Sequence, residues 1–228
     1  LKGKYANHTK FALNNLPNID FDYWVGKYMK DNKFRIVETL SNGNCFFDSI
    51  YKAIFLPIKE QRKIISDKLT TENFKTFKKL QDEDPEQYFF MEKIDNLNDL
   101  KTFVLTKEFW AEDLSITILQ NKFCFNIILF DEFIYKKEKE ASKPLDVVSC
   151  KKFDSCESNT NTKPKYIMLA YNGNHYQLVS YENKRIFTKE KINEMFPSNN
   201  FKCFNSDNSD ISEKFKKGGF KKTKKNQI

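Results

Sequence analysis

Cys45 is the residue of this chain best placed to act as a nucleophile. It follows the turn Ser41-Asn42-Gly43-Asn44 and opens an almost wholly apolar run, FFDSIYKAIF, that ends before Pro57. Asn-Gly is a strong turn signal, and an apolar run of this length reads as a buried helix starting at or near Cys45. The reactive form of cysteine is the thiolate, and a free thiol titrates near ~8.5. A helix N-terminus and a nearby imidazolium both lower that value. The turn supplies the first. It also leaves the backbone N–H groups of Gly43, Asn44 and Cys45 free to converge on the oxyanion of a tetrahedral intermediate.

The imidazolium must come from one of two histidines. His8 lies in a polar N-terminal stretch and reads as an exposed residue. His175 follows the turn Asn172-Gly173-Asn174 and starts an apolar segment, 130 positions after Cys45. If Cys45 is catalytic, His175 is its base, and the fold must bring the two together. From spacing alone, Cys45 also reads as a small buried hydrophobe and His175 as a core histidine with its hydrogen bonds satisfied.

The elements that must position this pair follow from periodicity. Residues 20–31 suggest a short helix with Tyr23 and Trp24 facing inward, and Phe34–Leu40 an extended segment. One long amphipathic pattern covers 59–80. Two shorter helices are expected over 86–94 and 97–105, and another over 107–121, with Trp110, Leu114 and Ile118 on one face. Phe125–Phe130 reads as a buried strand. Tyr166–Tyr171 and His175–Tyr181 read as a hairpin, followed by a short strand near Lys184–Thr188. The expected class is α+β, a central mixed β-sheet flanked by helices.

The 228 residues and 39% hydrophobic content suit one globular body with appendages. With 23 Phe against 4 Met, much of the core should be aromatic. The net charge is +8, and seven lysines from Lys214 onward, with no acid among them, account for seven of those charges. The body is therefore nearly neutral, which argues against a folded nucleic-acid-binding face; nucleic acid is expected only through the tail. We divide the chain into an extension over 1–33, a catalytic body over 34–204 with a polar insertion at 131–165, and a disordered lysine-rich tail over 205–228. No apolar run reaches the ~18 residues that span a bilayer, so no membrane partner is expected.

The five cysteines form no C-x-x-C pair, which suits a reducing, intracellular compartment, cytoplasmic, nuclear or virion-associated. Cys124, flanked by Phe on both sides, reads as a buried thiol. Cys150 and Cys156 lack the further ligands a metal site needs, and Cys203 has no evident partner. No metal or cofactor is called for, and a monomer is expected.

Three segments together resemble the ovarian-tumour (OTU) family of deubiquitinases. SNGNCFFDSI is similar to the family's catalytic-cysteine motif, usually D-G-N-C followed by two apolar residues. FWAEDLSITILQNKFCFNIILF is similar to the family's helix that runs into an Ile/Val-rich strand. NHYQLV is similar to its catalytic-histidine motif. They occur in family order and span roughly 34–181. The residue usage also suits a large DNA virus or a protist. The resemblance implies a papain-like OTU fold and hydrolysis of an isopeptide bond after the Gly-Gly end of ubiquitin, polyubiquitin or a ubiquitin-like modifier. Cys45 would be the nucleophile and His175 the base.

Two positions depart from the family text. Asn42 stands where Asp is usual, and could assist the oxyanion hole or orient the turn. Gln177 stands where Asp or Asn often orients the histidine. Residues 175 and 177 share a strand face, so Gln177 is the expected third member, with Asp20 or Asp22 as alternatives. These departures keep a second function open: a catalytically inactive OTU-like module that binds ubiquitin or another partner.

Overall fold

The computed structural model describes residues 24–138, 148–151, 164–196 and 203–204, with the backbone alone at 137–138, 149–151 and 203–204. His8, Asp20, Asp22, Tyr23, Cys156, most of the polar insertion and the lysine tail lie outside the described residues.

The fold is α+β, built on a mixed sheet. Helix α1 (Trp24–Met29) leads into β1 (Phe34–Val37). Five helical segments follow: α2 (Cys45–Ile54), α3 (Ile58–Lys68), α4 (Thr71–Glu83), a 3-10 turn (Phe89–Lys93) and α5 (Leu97–Val104). Then come α6 (Asp113–Phe123), β2 (Phe125–Asp131), α7 (Glu132–Glu138) and β3 (Val148–Lys151). The hairpin β4 (Lys165–Tyr171) and β5 (Tyr176–Tyr181), α8 (Lys189–Met195) and a short β6 (Cys203–Phe204) complete it.

The strand order is β1-β5-β4-β2-β3-β6. β1 is antiparallel to β5, and β5 to β4; β4 runs parallel to β2. Successive side chains on a strand face opposite ways, and the strands carry apolar residues at nearly every position, as a sheet covered on both faces requires. Ile127, Leu129, Ile167, Leu169 and Leu178 pack with α2 to α6 in one core. Ile128, Phe130, Met168, Val179 and Ile36 pack with Trp24, Val25, Ile192 and Phe196 in the other. No helix among the described residues is long and apolar enough to cross a membrane.

Four sequence expectations shift. The pattern over 59–80 is two helices, because Thr70 caps the second: its hydroxyl accepts from the Asn73 N–H while the Asn73 side chain accepts from the Thr70 N–H. The helix expected from 107 begins only at Asp113, and residues 107–110 instead pack against the turn before Cys45. Lys184–Thr188 makes two isolated bridges, Tyr181 to Lys184 and Tyr166 to Phe187, rather than a strand. Cys124 is buried as expected but is disulfide-bonded rather than a thiol. It sits at φ 55°, as the left-handed cap that turns α6 into β2.

Candidate active site

Cys45 is the first residue of α2, and its side chain is 4% exposed. The turn before it is tightly held. A Cβ on Gly43 would lie 1.8 Å from the Lys107 carbonyl oxygen and 3.0 Å from Trp110 Nε1, so a side chain there cannot be accommodated without moving backbone. Asn44 is the N-cap, yet its side chain makes no capping bond, although an Asn there ordinarily accepts from the first helical turn. Its Oδ1 instead accepts from Arg62 Nε at 3.1 Å and Nη2 at 2.8 Å.

The amides of Cys45, Phe46 and Tyr176 are all close enough to the Cys45 sulfur to favour its thiolate. The third of these follows His175 directly in the chain, so the hairpin brings the start of β5 to the mouth of α2. Phe46 and Tyr176 lock the approach with an edge-on ring contact at 5.5 Å. Burial outweighs the three amides and pushes the Cys45 thiol above its ordinary range, with Asp48 adding to the rise.

His175 is half-buried at the end of the β4–β5 turn, where Gly173 takes φ 105°. The Asn172 N–H donates to the His175 carbonyl at 3.3 Å and closes the turn. The imidazole Nε2 stands 3.3 Å from Thr39 Oγ1. The Thr39 hydroxyl donates its proton to the Tyr176 carbonyl, so toward the ring it acts as an acceptor. That places the ring proton on Nε2 and leaves Nδ1 as the basic nitrogen. Burial holds His175 below its ordinary 6.5, and the Glu38 carboxylate pulls in the opposite direction.

Thr39 is carried just beyond β1, and α2 fixes that segment from the other side. Asp48 is buried; its Oδ2 accepts from the Leu40 N–H at 3.0 Å and from Lys52 Nζ at 2.7 Å. Lys52 in turn donates to the Glu38 carbonyl at 2.6 Å. One helix therefore positions both the sulfur and the strand end that orients the imidazole.

Cys45 opens α2 and His175 immediately precedes β5, whose first residue packs on α2 through the Phe46–Tyr176 ring contact. Thr39 and Glu38, which the sequence did not single out, lie beside the histidine and Gln177. Gln177 donates from Nε2 to Glu38 Oε2 at 2.9 Å, and Thr39 stands at the ring nitrogen. The amides expected to be free for an oxyanion are partly engaged. Asn44 N–H donates to Asn42 Oδ1 at 2.9 Å, and Cys45 N–H to the Asn42 carbonyl at 3.0 Å. The Asn42 side chain is exposed, so its rotation releases the Asn44 amide, whereas the Cys45 amide is held by the Asn42 backbone carbonyl. Nothing local marked Thr39 or Arg62.

No protein-family model matches the chain, and no curated protein matches it. Solved structures resemble it at low sequence identity. An OTU domain in complex with ubiquitin is 18% identical, with 68% of this chain and 75% of that one covered at a TM-score of 0.43. An OTU deubiquitinase from Wolbachia pipientis is 11% identical, with 71% and 96% covered at a TM-score of 0.44. The ubiquitin-bound form of that enzyme gives 11%, 67% and 99%, at 0.39. These are likenesses of fold alone.

Proposed function

We propose that this chain is a cysteine-type deubiquitinase, hydrolysing the bond after the terminal Gly-Gly of ubiquitin or a ubiquitin-like modifier. The observation that supports this reading is the packing of the α2 N-terminus on the start of β5, where Phe46 and Tyr176, the residues directly after Cys45 and His175, make a ring contact at 5.5 Å, with His175 half-buried and its Nε2 at Thr39. The three motifs around Cys45, Trp110 and His175 supply the substrate class.

In this reading His175 Nδ1 takes the thiol proton as Cys45 Sγ attacks the carbonyl carbon of the terminal glycine. Because burial raises the thiol and lowers the imidazole, the resting pair is neutral, and His175 acts as a general base rather than as half of a standing ion pair. The tetrahedral oxyanion is received by amides of the Gly43–Cys45 turn once Asn42 withdraws. Collapse expels the lysine amine, which takes the proton back from His175. Water, activated by the same ring, then cleaves the thioester.

A second reading has its own support. The raised thiol and the engaged Asn44 and Cys45 amides also suit an inactive module that binds ubiquitin reversibly. A panel of di-ubiquitins separates the two. Cleavage by the unsubstituted protein and none by Cys45→Ala supports the enzyme. Retention of uncleaved di-ubiquitin by both supports the module.

A further inference from the structure

Arg62 is the most enclosed cation among the described residues, at 3% exposure. Burial lowers its guanidinium to about 10, so it stays charged at neutral pH. No carboxylate among the described residues lies within ion-pair distance of it; Glu108 acts on it from farther away. Its hydrogen bonds go to uncharged oxygens. Nη1 donates to the Val104 carbonyl at 2.8 Å, and Nη2 donates to the Phe109 carbonyl at 3.0 Å and the Gly43 carbonyl at 3.1 Å. Nε and Nη2 share Asn44 Oδ1, and the guanidinium lies 4.1 Å from the centre of the Phe47 ring.

A buried charge without a counter-ion is expensive, and an apolar side chain of similar volume would serve packing better. What an apolar side chain could not do is hold the turn. Arg62 joins the last two residues before Cys45 to the Val104–Phe109 segment, on which Gly43 packs at van der Waals limits. It also occupies Asn44 Oδ1, which would otherwise fold back and cap the first turn of α2. Its hydrogen bonds to this turn go to the Gly43 carbonyl and the Asn44 side chain, so its influence is on backbone direction.

We propose that Arg62 is a positioning residue of the site: it clamps Gly43 and Asn44 so that their amides face the oxyanion, and it leaves Asn42 as the part of the turn that yields to substrate. This rests on the reading of Cys45 as the nucleophile of an acyl transfer. Arg62→Lys keeps the charge and removes the fork, since a lysine cannot reach both sides of the turn in one plane.

The test compares two reactions at the same sulfur. Hydrolysis of a fluorogenic C-terminal ubiquitin conjugate passes through an oxyanion; alkylation by iodoacetamide does not. Arg62→Lys is expected to lower kcat about 100-fold, the usual effect of losing an oxyanion donor, with KM changed less than about threefold and alkylation of Cys45 not slowed. Amide exchange at residues 43–45 should quicken while β2 and β4 stay protected. Should Arg62→Lys fail to fold, Asn44→Ala removes the shared acceptor and is expected to give the same pattern at about 10-fold. Hydrolysis and alkylation falling by the same factor, or unchanged exchange at 43–45, would overturn the proposal. An unsubstituted protein that forms no adduct with ubiquitin probes would overturn the hydrolase reading instead, and the exchange experiment would still judge the clamp.

Discussion

At the scale of single residues, the site depends on which nitrogen of His175 carries the proton. The Thr39 hydroxyl decides this, because its own proton is committed to the Tyr176 carbonyl and it can only accept from Nε2. Thr39→Val keeps the shape and loses the acceptor. It is expected to lower kcat about 10- to 100-fold with KM little changed, since the ring orientation matters for proton transfer and not for binding. Glu38 contributes through its charge, which raises His175 against the effect of burial. The base must be neutral to work, so kcat/KM should fall as pH drops through a value below 6.5. Glu38→Gln removes the opposing charge and should move that limb to lower pH; a shift to higher pH would contradict the assignment. Neither Thr39 nor Glu38 was legible in the sequence. The contact from Thr39 to His175 joins residues 136 apart, and Thr39 looks locally like any strand-end threonine. Gln177 drew notice because it shares a face with His175, and its Nε2 donates to Glu38.

Among the elements, α2 and the β4–β5 hairpin were readable because each carries its own boundary signal. A turn followed by an apolar run marked the start of α2 at Cys45, and Asn-Gly-Asn marked the hairpin that ends in His175. The start of α6 was not readable, because the aromatic pair Phe109-Trp110 continues the apolar pattern upstream while its tertiary role is to pack beneath the Cys45 turn. Glu112, the N-cap of α6, shows the cost. Its residue surface is partly open, but its carboxyl is enclosed and pushed up to about 8, with Asp113 adding to the rise. The folded state therefore holds this proton more tightly than the unfolded chain, whose carboxyl titrates near 4.5. Whatever stability the proton confers is complete below that value and is lost as pH climbs to about 8. Glu112→Gln should raise Tm by an amount that grows between these two pH values and is level beyond them. A Tm difference independent of pH in thermal melts would show that the carboxyl titrates normally.

For the molecule as a whole, the arrangement makes one helix answer to both members of the proposed pair. The α2 N-terminus carries the sulfur, Asp48 and Lys52 on the same helix pin the end of β1 beside the imidazole, and Arg62 on α3 pins the turn from beneath. The sheet sets Thr39 against His175, since β5 pairs with β1 and His175 immediately precedes β5 at the strand end where Thr39 follows β1. The central claim is that Cys45 attacks the terminal carbonyl carbon of a glycine with His175 as base. The most direct measurement is the intact mass of the protein after incubation with ubiquitin bearing a C-terminal electrophile. The account predicts a single ubiquitin adduct, mapped to Cys45, absent in Cys45→Ala and formed at least about 100-fold more slowly in His175→Ala. No adduct on the unsubstituted protein, or one that survives in Cys45→Ala, would contradict it.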